Sequence, residues 1–152
     1  MLLALPVASQ GITVFGGVPF TGDLELFGNK MIEKGFEYYQ DGDEEVFIGK
    51  YLGEDVEIFM RVNRNTGQLV FVTAVILNKE FTEETAVKKV KEIAGKLGQM
   101  YKIQNWSIKD LGGNYKASVY SKGKRFVIMV QRTFNMDLGK YLVATSFGLD
   151  YK

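Results

Sequence analysis

The chain has 152 residues, 46% hydrophobic and 24% charged, with 19 basic against 18 acidic side chains, the balance of a folded domain and not of a disordered one. At this length a chain buries roughly 70% of the surface its unfolded form exposes, so one core needs no disulfide or metal staple. Cysteine and histidine are both absent, which excludes thiolate or imidazole zinc sites, cysteine nucleophiles, serine–histidine pairs and covalently attached haem.

The chain opens on an apolar run from Leu2 to Ala8, and Val7-Ala8-Ser9 has the small-residue spacing of a signal-peptidase site. Residues 1–10 therefore read as the remnant of an export signal whose basic start lies upstream of Met1, with the folded protein beginning near Gln10. That places it in the periplasm or outside the cell. The competing reading makes Leu2 to Val7 an apolar arm packed on the domain. No stretch reaches the eighteen or so consecutive apolar residues of a membrane span.

Thr21 or Asp23 caps a predicted helix over 22–34, in which Leu24, Phe27 and Met31 recur three and four apart and Gly35 supplies a left-handed stop. The apolar period then changes from about 3.6 to two, the mark of strands. Val46, Ile48 and Leu52 alternate with Phe47, Gly49 and Tyr51, Gly53-Glu54-Asp55 turns the chain, and Val56, Ile58, Met60 and Val62 alternate with Glu57, Phe59 and Arg61. A turn over Asn63–Gly67 leads into Gln68–Leu77, apolar at almost every position, which reads as a central strand covered on both faces or presenting a sticky outer one.

A second helix starts at Thr82 with Glu83 and Glu84 at the positive end of its dipole, and Ala86, Val90, Ile93, Leu97 and Tyr101 form its apolar stripe. Lys88, Lys89, Lys91 and Lys96 make its other face basic, and Glu92 stands four residues before Lys96. Strands follow over Tyr115–Ser121, Lys124–Phe134 and Lys140–Leu149, with Ala117, Val119, Phe126, Ile128, Val130, Tyr141, Val143 and Phe147 as inward candidates. Helix-then-strands thus occurs twice, as pseudo-repeats 18–78 and 79–152. Hairpin-length connections leave no room for parallel crossovers, so the fold class is α+β: two helix-plus-antiparallel-meander units forming one antiparallel sheet with the helices on one face. No linker separates the units, and 11–152 reads as a single compact domain.

The units differ in charge. Residues 1–78 hold five bases against eleven acids, and residues 79–152 hold fourteen against seven. Such asymmetry permits attraction between unlike surfaces or selection of differently charged partners.

The segment Phe15-Gly16-Gly17-Val18-Pro19-Phe20-Thr21-Gly22, with Lys34-Gly35-Phe36 and Ile48-Gly49-Lys50-Tyr51-Leu52-Gly53 after it, resembles a group of small secreted proteins of Bacteroidetes that share a Gly-Ile-Pro-Ile-Thr-Gly type opening. The likeness covers roughly residues 15–60, and no functional residue transfers, because the group has no defined site. The doubled helix-plus-meander order is also similar to the β-lactamase-inhibitory-protein fold and to PepSY-like periplasmic domains. That similarity implies a noncatalytic binding role.

Candidate chemistry is sparse. Asp41-Gly42-Asp43-Glu44-Glu45 offers oxygen ligands for calcium but lacks the ligand spacing and distal Glu of an EF-hand, so it reads as a solvated hairpin turn. Glu37, Glu54, Asp55, Glu57 and Asp110 are the carboxylates available for acid–base work, and none sits in an apolar setting that would raise its pKa. The glycine pairs at 16–17 and 112–113 lack the ending and context of a phosphate loop. Neither a metal nor a cofactor is expected. Aromatics are 13% of the chain, and Tyr38, Tyr39, Tyr51, Trp106, Tyr120 and Tyr151 fall in loops or out of phase with the apolar face, where they suit contact surfaces. Tyr38, Tyr51, Trp106 and Tyr120 are the binding candidates. The expected function is an exported noncatalytic module that recognises a protein or envelope ligand through its sheet face. Two alternatives stand beside it. One is a hydrolase using carboxylates alone. The other is a basic single-stranded nucleic-acid module in which Tyr115 and Tyr120 stack on bases among Lys116, Lys122, Lys124, Arg125 and Arg132, although the RNA-recognition signature is absent.

Overall fold

A computed structural model of the chain describes residues 14–15, 18–19, 23–42, 44–120 and 126–148. The export-signal reading of 1–10, the turn at Lys122-Gly123 and Tyr151 lie outside them. After a short hairpin of β1 (Val14–Phe15) and β2 (Val18–Pro19) comes α1 (Leu24–Glu33), then β3 (Glu37–Asp41), β4 (Glu44–Tyr51), β5 (Glu54–Val62) and β6 (Leu69–Ile76). The second helix, α2 (Glu83–Tyr101), precedes β7 (Ser107–Leu111), β8 (Asn114–Tyr120), β9 (Phe126–Asn135) and β10 (Lys140–Gly148).

Strands β3 to β10 form one eight-stranded antiparallel sheet in the order β3-β4-β5-β6-β10-β9-β8-β7. Each half is a helix followed by a four-stranded meander, and the last strand of each meander meets the other at the centre. The fold is α+β, as the sequence predicts.

Both helices begin where local chemistry can satisfy their first N–H groups. The Asp23 Oδ1 accepts from the Leu26 N–H at 3.1 Å, and Gly35 takes the left-handed conformation, φ +98°, that a side chain would resist. In α2 the cap is reciprocal: Thr82 Oγ1 accepts from Thr85 N–H at 3.1 Å while Thr85 Oγ1 accepts from Thr82 N–H at 2.8 Å. The apolar stripes are buried as the spacing predicts, with Phe27 and Met31 from α1 and Ala86, Val90, Ile93 and Leu97 from α2.

The core lies on one face of the sheet. Residues directly opposite on paired antiparallel strands share a face, so one register row runs Tyr38, Phe47, Ile58 and Ala74 through the first meander and Thr145, Val130, Ala117 and Ile108 through the second. The central members of this row join both helices in one buried cluster. The β1–β2 hairpin fills the same layer: Phe15 stacks on Tyr51 at 4.7 Å and meets Phe147 edge-on at 5.3 Å.

Four sequence expectations are corrected. Tyr51 is not exposed; it is 8% accessible and lies under Phe15. Strand β4 is apolar in both phases, so its alternation does not reveal which phase meets the helices. Phe47 and Tyr51 do, whereas Val46, also buried, points to the other face. Two strands, β3 and β7, were not expected. Both are sheet edges, covered on neither face well enough to carry an apolar alternation. Finally, Tyr115 is buried beneath α2, with the Lys91 ammonium 5.9 Å from its ring, so it cannot stack on a nucleic-acid base.

Candidate interaction surface

The four aromatic candidates do not converge. Tyr38, 47% exposed, stands on edge strand β3, donates its hydroxyl to Glu45 at 3.2 Å and meets Phe47 edge-on at 5.8 Å. Tyr51 is in the core, where burial pushes its phenol pKa up, and its hydroxyl finds no hydrogen-bond partner among the described residues. Trp106 is half-buried, packed on the core at the α2–β7 connection beside Gly98. Tyr120, 37% exposed, ends β8 at a register shift. These are four separate places, not one site.

The carboxylates do not converge either. Glu54 is held by Lys79 at 2.7 Å and Lys89 at 2.9 Å, and Lys89 also bonds Glu92 at 2.9 Å. The lysines keep the Glu54 carboxyl below its usual range, and Glu54 with Glu92 raises the Lys89 ammonium above its own. Lys50, 2.8 Å from Asp55, lowers that carboxyl too. A general acid needs the opposite shift. These charges tie β5 to α2 and to β4. Arg132, nearly inaccessible, is a further tie: it donates to the Glu83 and Gly112 carbonyls and lies 5.4 Å from the Tyr141 ring, joining the start of α2 to the β7–β8 turn. Among the described residues no cluster of acids could hold a metal ion, and no helix is long and apolar enough to cross a membrane.

What the structure does assemble is the other face of the sheet, which both helices leave bare. One register row places Glu37, Ile48, Glu57 and Val75 across the first meander and Ala144, Gln131, Lys116 and Lys109 across the second. The adjacent row runs Tyr39, Val46, Phe59 and Thr73, then Ser146, Met129, Ser118 and Ser107. Phe59, Phe71, Val75, Met129 and Leu142 are half-buried there, each flanked by neighbours in the sheet. Thr73 and Ser146 share a hydrogen bond of 2.8 Å across the central β6–β10 pair, and the Arg61 guanidinium lies 5.1 Å over the Phe71 ring. Lys109 and Lys116 are directly opposite on β7 and β8, a like-charge pair that costs stability in an isolated sheet. Strands β7 to β10 set no described carboxylate on this face.

Two smaller features complete the described surface. A groove of about 480 Å³ runs between α1 and the sheet, lined by Leu24, Gly28, Ile32, Tyr38, Phe47 and Met60. At the tips of the β7–β8 and β9–β10 hairpins, Leu111, Phe134, Met136 and Leu138 are exposed. Comparison with protein-family models, curated proteins and solved structures finds no match to this chain.

The sequence carried one signal for the bare face: Gln68–Leu77, apolar in both phases. On β5, Phe59 and Arg61 alternate with Val56, Ile58, Met60 and Val62, and the structure places them on the side away from the helices.

Proposed function

We propose that this chain is a noncatalytic binding module that takes a protein partner on the bare face of its sheet, and that it is exported as its leader-like opening suggests. One observation carries the reading. Among the described residues the eight-stranded sheet has helices on one side only, which leaves Phe59, Phe71, Val75 and Leu142 half-exposed on three adjacent strands, β5, β6 and β10. An apolar stripe of this kind, rimmed by charge, marks an interaction surface. Tyr39 on β3 stands on that face, whereas the binding candidates Tyr38 and Tyr51 point to the other. The carboxylate-hydrolase alternative gains nothing from Glu54 and Asp55, whose lysine partners hold them ionised.

Cross-linking in envelope extract tests it with two variants: Phe59→Ser with Phe71→Ser on the bare face, and Ile32→Ser beside the α1 groove. Loss of the cross-linked partner in the first and retention in the second is expected. Capture unchanged by the first variant overturns the assignment of the face.

A further inference from the structure

We infer that the bare face pairs with a second copy of itself, so that the module assembles as a face-to-face dimer; this rests on the reading of that face as the binding surface. The argument is one of self-complementarity. In a closed dimer with two-fold symmetry the same patch serves both subunits, so residue i of one touches residue j of the other and the reverse. An axis lying between the two sheets and parallel to the strands sets β3 over β7, β4 over β8, β5 over β9 and β6 over β10 of the second copy. The strand order sets the four strands of each meander on either side of the β6–β10 seam, so this axis lays each meander over the other.

The register rows then meet their complements. In the first row Glu37 faces Lys109, Ile48 faces Lys116, Glu57 faces Gln131 and Val75 faces Ala144. The Lys109–Lys116 pair, repulsive within one chain, gains the carboxylate of Glu37 from the other. In the second row Tyr39 faces Ser107 and Phe59 faces Met129, with the already buried Val46 and Ser118 between them. Tyr39 meets the small Ser107, Phe59 meets Met129 apolar to apolar, and the acid Glu37 meets the base Lys109. Turning the axis to run across the strands instead would set β7 and β8 over their own copies and bring the Lys109–Lys116 pair against itself, which like-charge repulsion disfavours.

Area agrees. Eight strands about 4.8 Å apart and roughly five residues deep give a flat footprint of roughly 34 by 17 Å. Side-chain relief raises that toward the ~800 Å² per partner of a stable interface. Sheets packed in this way are the aligned sandwich, with the two strand directions offset by about 30°.

Two charge variants test the pairing. Lys109→Glu with Lys116→Glu makes the face acidic at both ends, and Glu37→Lys with Glu57→Lys makes it basic at both ends. Sedimentation-equilibrium runs should find the unaltered chain dimeric, each variant alone weakened in self-association by at least about tenfold, and the two variants mixed forming a heterodimer. The mixture guards against misfolding, because a misfolded variant would not recover a partner. A monomeric unaltered chain, or a variant that stays dimeric alone, overturns the inference. If the chain is monomeric and Phe59→Ser with Phe71→Ser still abolishes cross-linking to another protein, the second copy is excluded and the binding face stands. If neither self-association nor cross-linking responds to that variant, both readings fall.

Discussion

The two faces of the sheet are built from the same eight strands yet solve different problems. On the covered face, Phe47, Ile58, Val130 and Phe147 are removed from water by the helices and the β1–β2 hairpin, and each such side chain stabilises the fold by roughly 1.5–3 kcal/mol. On the bare face, Phe59, Phe71 and Leu142 are shielded by lateral neighbours, and no described element lies above them. Cross-strand contacts of that kind contribute roughly 0.2–1 kcal/mol each. Burial on one side makes the domain stable. Incomplete burial on the other leaves apolar area for a partner.

That contrast can be broken from the stable side first. Phe147→Ala removes a ring in contact with both Phe15 and Tyr51, and denaturant unfolding should show a loss of about 3–5 kcal/mol. Arg132→Leu keeps the bulk but leaves the Glu83 and Gly112 carbonyls without their donor; thermal melts should report about 2–4 kcal/mol. Gly49→Ala is a smaller change in size with a definite clash, because a Cβ there would lie 2.4 Å from Phe36 Cδ1. It should cost about 1–3 kcal/mol, and recovery by Phe36→Leu would identify the ring as the cause.

Glu54→Gln sharpens the comparison electrostatically. The folded Glu54 carboxyl is depressed by Lys79 and Lys89, so its contribution is complete above the ordinary carboxylate pKa of about 4.3 and disappears as pH falls through the lower folded value. Urea titrations should find the variant about 1–2 kcal/mol less stable at neutral pH, with the gap closing towards pH 3. A gap that persists in acid would assign the effect to packing. The smallest effect belongs to the bare face: Phe71→Ser should change monomer stability by only about 0.5–1 kcal/mol while removing partner binding. A core-sized loss there would mean that the face is already covered.

Much of this molecule was legible in the sequence, for reasons that are local. Thr82, Asp23 and Gly35 mark helix ends because capping depends on side chains next to the orphan backbone groups. Phe27, Met31, Val90 and Leu97 mark buried stripes because a helix repeats its own face. Gln68–Leu77 marks the sheet centre because a strand flanked on both sides tolerates apolar residues in both phases. What escaped was set by distant parts of the chain. The burial of Tyr51 depends on Phe15 and Phe147, which arrive from 36 positions before it and 96 after. Edge strands β3 and β7 show no apolar alternation because neither is buried enough to require one.

The functional surface divides in the same way. Composition alone removed imidazole and thiol chemistry, and the opposite charges of the two halves were countable from the first reading. Only the tertiary structure decided that Glu37 and Glu57 lie on one half of a single face and Lys109 and Lys116 on the other, with apolar side chains between them. Pairing across a sheet joins residues more than 70 positions apart, as in Thr73 with Ser146, and no periodicity along the chain records which strands will lie side by side.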